Sequence, residues 1–101
     1  MSVYNKLVRD RIPELMEAQG KHPVVQILDD AEYTKHLEAK LDEEVSEYHQ
    51  DKTLEELADI LEVVYALAEN LGASREELMA VYQAKNQARG GFAKKCFLIS
   101  D

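Results

Sequence analysis

The sequence contains a single cysteine, Cys96, so no intrachain disulfide can form, and a reducing compartment fits. Long hydrophobic runs are also missing. The longest apolar-rich stretch, residues 60–71, is interrupted by Glu62, Glu69 and Asn70 and is too short to span a bilayer. Residues 1–6 lack the apolar core of a secretory signal. Basic residues are scarce, with 12 Lys and Arg against 20 Asp and Glu, and the formal net charge of −8 disfavours a nucleic-acid polymer as partner. A small anionic ligand is still compatible, because a bound divalent cation reverses the local field. No repeat, low-complexity segment or linker interrupts the chain. The expectation is one cytoplasmic domain over residues 1–101, with no membrane partner. A chain of 101 residues buries only a modest core, which favours self-association.

What is present reads as mostly α, a helical bundle of about four helices with a minor short β element. Start and stop signals place the first helix at about residues 11–19, with Asp10 as N-cap, Pro13 in the first turn and Gly20 after the end. Residues 24–28, a β-branched run after Pro23, read as a strand. The second helix spans about 31–50, capped by Asp29 or Asp30, with Tyr33, Leu37, Leu41, Val45 and Tyr48 as its apolar stripe. The third spans about 54–71. Leu54, Leu57, Leu61, Val64 and Leu71 make one stripe, which Ile60, Val63 and Leu67 widen, as suits a central helix packed on more than one side. The fourth spans about 75–89, opened by the capping box Ser74-Arg75-Glu76-Glu77 and closed by Gly90-Gly91. Its face of Leu78, Val81 and Tyr82 should pack inward. Residues 97–99 read as a last strand, pairing with 24–28.

Chemistry concentrates in the acidic residues of the second and third helices. Glu44 and Glu47 are three apart and share a face, as do Glu56 and Asp59. Glu44 and Asp59 are equidistant from the turn near Asp51 and Lys52, and so are Glu47 and Glu56. In an antiparallel hairpin the four carboxylates therefore form two rungs about one helical turn apart. On the third helix the same face continues into Val63 and Ala66, so it is buried or lines a groove. Carboxylates gathered there repel one another and lose hydration, a cost that a hard divalent cation with oxygen ligands removes. The alternative is plain: acidic side chains on helices are usually solvated, and Glu56 also completes the capping box that starts at Thr53.

Basic residues cluster near both ends. Lys6 and Arg9 precede the first helix; Lys85 and Arg89 lie one turn apart on the fourth. Facing a bound cation, such side chains would complete a triphosphate site. Alternatively, Lys85 and Arg89 only stabilise a helix C-terminus. The glycines after Arg89 form no Walker-type loop. The histidines show no metal-ligand spacing with one another or with Cys96, and no Ser/His/Asp or Cys/His arrangement can be argued.

The run Glu43-Glu44-Val45-Ser46-Glu47, followed by Glu56-Leu57-Ala58-Asp59, resembles the paired acidic motif of the all-α nucleotide pyrophosphohydrolases. That superfamily includes MazG-like proteins, dimeric dUTPases and phosphoribosyl-ATP pyrophosphohydrolases. The opening Tyr4-Asn5-Lys6-Leu7-Val8-Arg9-Asp10-Arg11-Ile12-Pro13 and the closing Lys85-Asn86 with Arg89-Gly90-Gly91-Phe92 resemble a compact house-cleaning subgroup of MazG-like proteins. The resemblance implies Mg²⁺, with Mn²⁺ as a substitute, held by Glu44, Glu47, Glu56 and Asp59. It implies hydrolysis of a nucleoside triphosphate, canonical or not, at the α–β bond, giving the monophosphate and pyrophosphate. Glu43 or a ligand carboxylate would position the attacking water; Lys6, Arg9, Lys85, Asn86 and Arg89 would bind the nucleotide. It also implies a homodimer or homotetramer. The segment between Glu47 and Glu56, residues 48–55, is shorter than in many MazG-like members, so base specificity does not carry over. Phosphoribosyl-ATP hydrolysis is the rival activity. A helical interaction module with an inactive or structural acidic site is the rival from another class.

Overall fold

The computed structural model describes residues 2–101. The fold is mostly α, with four helices among the described residues: α1 (Ile12–Ala18), α2 (Asp30–Gln50), α3 (Leu54–Asn70) and α4 (Arg75–Arg89). The chain divides into two compact units, Met1–Leu67 and Ala68–Asp101.

Local chemistry sets the helix ends of the first unit. The Asp29 carboxylate accepts the Glu32 N–H at 2.8 Å and starts α2. The helix ends where the Asp51 N–H donates to the Glu47 carbonyl at 3.0 Å. Thr53 then opens α3: its hydroxyl accepts the Glu56 N–H at 3.3 Å and its carbonyl accepts the Leu57 N–H at 3.2 Å. Only residues 51–53 separate the two helices, so the acidic stretches on either side return toward each other. Among the described residues, Leu37 of α2 and Val63 of α3 are the buried apolar side chains of this unit.

The start of α1 departs from expectation. Asp10 is not the N-cap; the cap position falls on Arg11, which makes no side-chain cap bond. The Ile12 N–H donates instead to the Arg9 carbonyl at 3.1 Å, so Asp10 lies inside a backbone turn. Arg11 pairs with Glu14 of the first turn at 2.7 Å. Gly20, at φ +81°, takes the left-handed conformation that lets the Lys21 N–H return to the Met16 carbonyl at 3.0 Å.

In the second unit, the Ser74 hydroxyl accepts the Glu77 N–H at 3.1 Å while the Glu77 carboxylate accepts the Ser74 N–H at 3.1 Å, a complete capping box. Gly90, at φ +78°, ends α4 as its N–H donates to the Asn86 carbonyl at 2.7 Å.

Three further expectations fail. No strand forms at 24–28 or at 97–99 among the described residues. Val24, Ile27, Phe97, Leu98 and Ile99 are almost wholly exposed. β-branched composition favours a strand only where a ladder partner and an apolar face await it, and neither segment finds one. On α4, Val81 and Tyr82 stay more than half exposed rather than packing inward. On α3, expected to be packed on more than one side, the leucines of the first stripe are uncovered: Leu54, Leu57 and Leu61 are 83%, 43% and 48% exposed, while Val64 of that stripe is half-buried. Val63, one of the residues that only widened that stripe, is the buried one.

Candidate metal centre

The hairpin of α2 and α3 brings Glu44, Glu56 and Asp59 together, with one carboxylate oxygen from each lying within 4.8 Å of the other two. Glu44 is the buried member, at 8% exposure, while Glu56 and Asp59 are half-buried. Oxygens around Mg²⁺ at 2.0–2.1 Å lie about 3–4 Å apart, so the group has the scale of a hard-cation site. Its donors are all carboxylate oxygens, the chemistry that Mg²⁺ and Mn²⁺ prefer. The residues present therefore fit the group that the sequence implies.

Glu47 does not join them. It is exposed and lies outside the group of three. At about 100° per residue it sits roughly 60° further round α2 than Glu44, toward solvent. Its charge still bears on the site. Partial burial pushes the Glu56 carboxyl above its ordinary value, and the charges of Asp59, Glu47, Glu44 and Asp51 push the same way. A bound cation would reverse that direction.

The carboxylates are also met by basic side chains. Arg9 donates to the Asp59 carboxylate at 2.6 Å. Lys6 reaches Glu43 at 3.5 Å. Two residues expected to bind nucleotide are thus carried to the acidic group by the segment before α1, within the same unit. A third basic residue was missed by sequence reasoning. Lys40 lies one turn before the acidic run and contacts Glu43 at 3.2 Å and Glu44 at 3.4 Å. Its three- and four-residue spacing to those glutamates was the signal available.

Glu43 responds to these neighbours. Partial burial would raise its pKa, but hydrogen bonds and charge from Lys40, and charge and a hydrogen bond from Lys6, outweigh burial and hold it below its ordinary value. Glu43 is consequently a weaker proton acceptor than an isolated glutamate.

The remaining expected residues gather in the second unit. Lys85, Asn86 and Arg89 line a shallow concavity of about 440 Å³, with Tyr82 and Phe92 on its walls. All five are exposed. Basic, amide and aromatic groups on one surface are the types that meet phosphate and base.

Comparison with known proteins adds little to this geometry. No family model matches the chain, and no solved structure matches it. A stretch of 42 residues, 42% of the chain, is 62% identical to an uncharacterized protein of Mycolicibacterium smegmatis. The match spans 43% of that protein's length. Among the described residues, no helix is long and apolar enough to cross a membrane.

Proposed function

We propose that the chain is a cytoplasmic, Mg²⁺-dependent nucleotide pyrophosphohydrolase, with Mn²⁺ able to substitute. The observation that carries this reading is the convergence of Glu44, Glu56 and Asp59 across the α2–α3 hairpin, with Glu44 withdrawn from solvent. Three carboxylates so close repel one another, and a cation removes that repulsion. When bound, the cation supplies charge stabilisation and polarises a phosphate oxygen of the substrate. Glu44, Glu56 and Asp59 hold it, and Glu47 adds negative charge beside them. Arg9 and Lys6 supply positive charge beside the carboxylates and suit them to an anionic substrate. The scissile bond comes from the resemblance in the acidic motif, which points to the α–β linkage of a nucleoside triphosphate.

Two measurements test this. A hydrolysis screen over canonical and damaged nucleoside triphosphates with Mg²⁺ should find a substrate. Phosphorus NMR of the mixture should then show pyrophosphate and the monophosphate. Orthophosphate with a nucleoside diphosphate would refute the bond assignment and leave the metal site standing.

The concavity at the end of α4 is proposed to bind phosphate through Arg89 and Lys85. Arginine meets phosphate with a planar fork of donors that lysine cannot reproduce. Arg89→Lys should raise the Kd for inorganic pyrophosphate about tenfold by calorimetry, with the Kd for Mg²⁺ unchanged. An unchanged Kd for pyrophosphate would remove Arg89 from the phosphate site.

We also propose that the chain self-associates, most simply as a dimer, through the exposed leucines of α3. The same stripe supports the second reading, a helical interaction module with a structural acidic site. Mg²⁺ calorimetry separates the two: no binding favours the module.

A further inference from the structure

The ion pairs of the first unit are not alike. Arg9–Asp59 and Lys6–Glu43 keep 35–55% of each side chain exposed, and pairs open to water in this way add little to stability. Lys40–Glu44 is different: the two side chains are only 18% and 11% exposed. A lysine withdrawn this far from water needs its charge matched, and Lys40 has two carboxylates, Glu43 Oε2 at 3.2 Å and Glu44 Oε1 at 3.4 Å. Glu43 in turn takes Lys6 on its other oxygen, at 3.5 Å. Charges therefore alternate in sign from Lys6 through Glu43 and Lys40 to Glu44, and Glu44 is the member that faces Glu56 and Asp59.

We infer that Lys40 is a positioning residue of the cation site, acting through Glu44. The inference rests on the metal-site reading given above and adds a residue to it. Without a positive charge behind it, the Glu44 carboxylate would swing away from Glu56 and Asp59 toward water, since all three carry the same charge. The Lys40 ammonium offsets that repulsion and keeps Glu44 in the buried rotamer that presents an oxygen to the other two. Both residues lie on α2 at i and i+4, so the helix itself fixes their separation. Partners that orient a ligand carboxylate in this way typically change metal affinity or activity by 10–100-fold when removed.

A competing role makes the opposite prediction. If Lys40 were only a resident counter-charge, removing it would leave a more negative site and tighten cation binding. The two are separated by Mg²⁺ titration calorimetry on the full chain. Lys40→Met should weaken binding about 10–100-fold, and Lys40→Arg should restore it to within about threefold of the parent. In a Glu44→Gln background, Lys40→Met should have almost no further effect, because the residue through which it acts is already gone. Helical circular dichroism checks each variant. If Lys40→Met unfolds, Lys40→Gln carries the same expectation. Unchanged or tighter binding in the Lys40 variant overturns the inference, as does an additive effect in the double variant. Absence of Mg²⁺ binding by the parent chain overturns the metal-site reading and this inference with it, so the two failures are told apart by the parent titration.

Discussion

Glu44→Gln, Glu56→Gln and Asp59→Asn should each lower nucleotide hydrolysis by at least about 100-fold, more than the loss typical of outer-shell partners. Glu47→Gln should cost less, within about tenfold, because Glu47 lies outside the group of three. Steady-state rates at saturating Mg²⁺ check the order. Full activity in any two of the three stronger variants would dismantle the site. Thermal unfolding gives a second readout that needs no substrate. Mg²⁺ at about 100 times its Kd adds about 2.7 kcal/mol, which for a domain of this size raises the midpoint by roughly 10 °C or more. The three variants should lose that rise.

The pH dependence of the metal-free chain follows from the two shifted glutamates. The Glu56 pKa is raised in the fold, so its contribution favours folding below the unfolded carboxyl pKa and is lost as pH rises through the folded value. The Glu43 pKa is depressed, so its contribution is present above the unfolded pKa and is lost as pH falls through the folded value. At neutral pH the metal-free chain thus carries an unfavourable ionised Glu56 and a favourable ionised Glu43. Glu56→Gln should match or exceed the parent's midpoint in chelator while failing to respond to Mg²⁺. Glu43→Gln should fall below it. A Glu56→Gln midpoint well below the parent's in chelator would mean that its carboxylate is structurally favourable as it stands.

Most of the helical pattern was legible in the sequence. The boundaries of α4 match because Ser74, Glu77 and Gly90 form caps from neighbouring residues alone, and the start of α2 follows from Asp29 in the same way. Local rules misled where the outcome depended on distant partners. Residues 24–28 have strand composition, but a strand needs a ladder that composition does not supply. Asp10 looked like a cap, but the backbone bond from Ile12 to Arg9 moved the helix start past it. The acidic group was legible through the equidistance of Glu44 and Asp59 from the turn. Spacing along one axis does not fix azimuth, however, so it could not show that Glu56 would turn in while Glu47 stayed out. The basic side of the site was only half legible. Lys6 and Arg9 stood out as charges before α1, yet that they would meet Glu43 and Asp59 depends on contacts across 37 and 50 residues. The spacing of Lys40 to Glu43 and Glu44 is visible in the sequence, but an i, i+4 pair is usually solvated, and the burial that sets this one apart is a tertiary property.

The leucines of α3 carry the other large expected effect. At about 100° per residue, Leu54, Leu57 and Leu61 lie within roughly 60° of one another. Glu56, Asp59 and Val63 centre on a face roughly 150° away. The burial pattern agrees: Val63 is covered, and the leucine stripe is not. A stripe of this kind on a short chain with a thin core is the surface a second copy would cover, and each leucine so covered adds about 1 kcal/mol or more. The parent should therefore run as a dimer or tetramer by light scattering at micromolar concentration, with a thermal midpoint that rises with protein concentration. The double variant Leu57→Glu with Leu61→Lys should be a monomer whose midpoint no longer depends on concentration. Its new side chains fall at i and i+4 with the acid first, an arrangement that supports α3 by about 0.2–0.5 kcal/mol, so loss of assembly would not reflect loss of the helix. Because the substitutions lie on the face away from Glu56 and Asp59, the Kd for Mg²⁺ should stay within about threefold of the parent. A monomeric parent at micromolar concentration would refute the assembly. A dimer that survives the double variant would move the interface off this stripe.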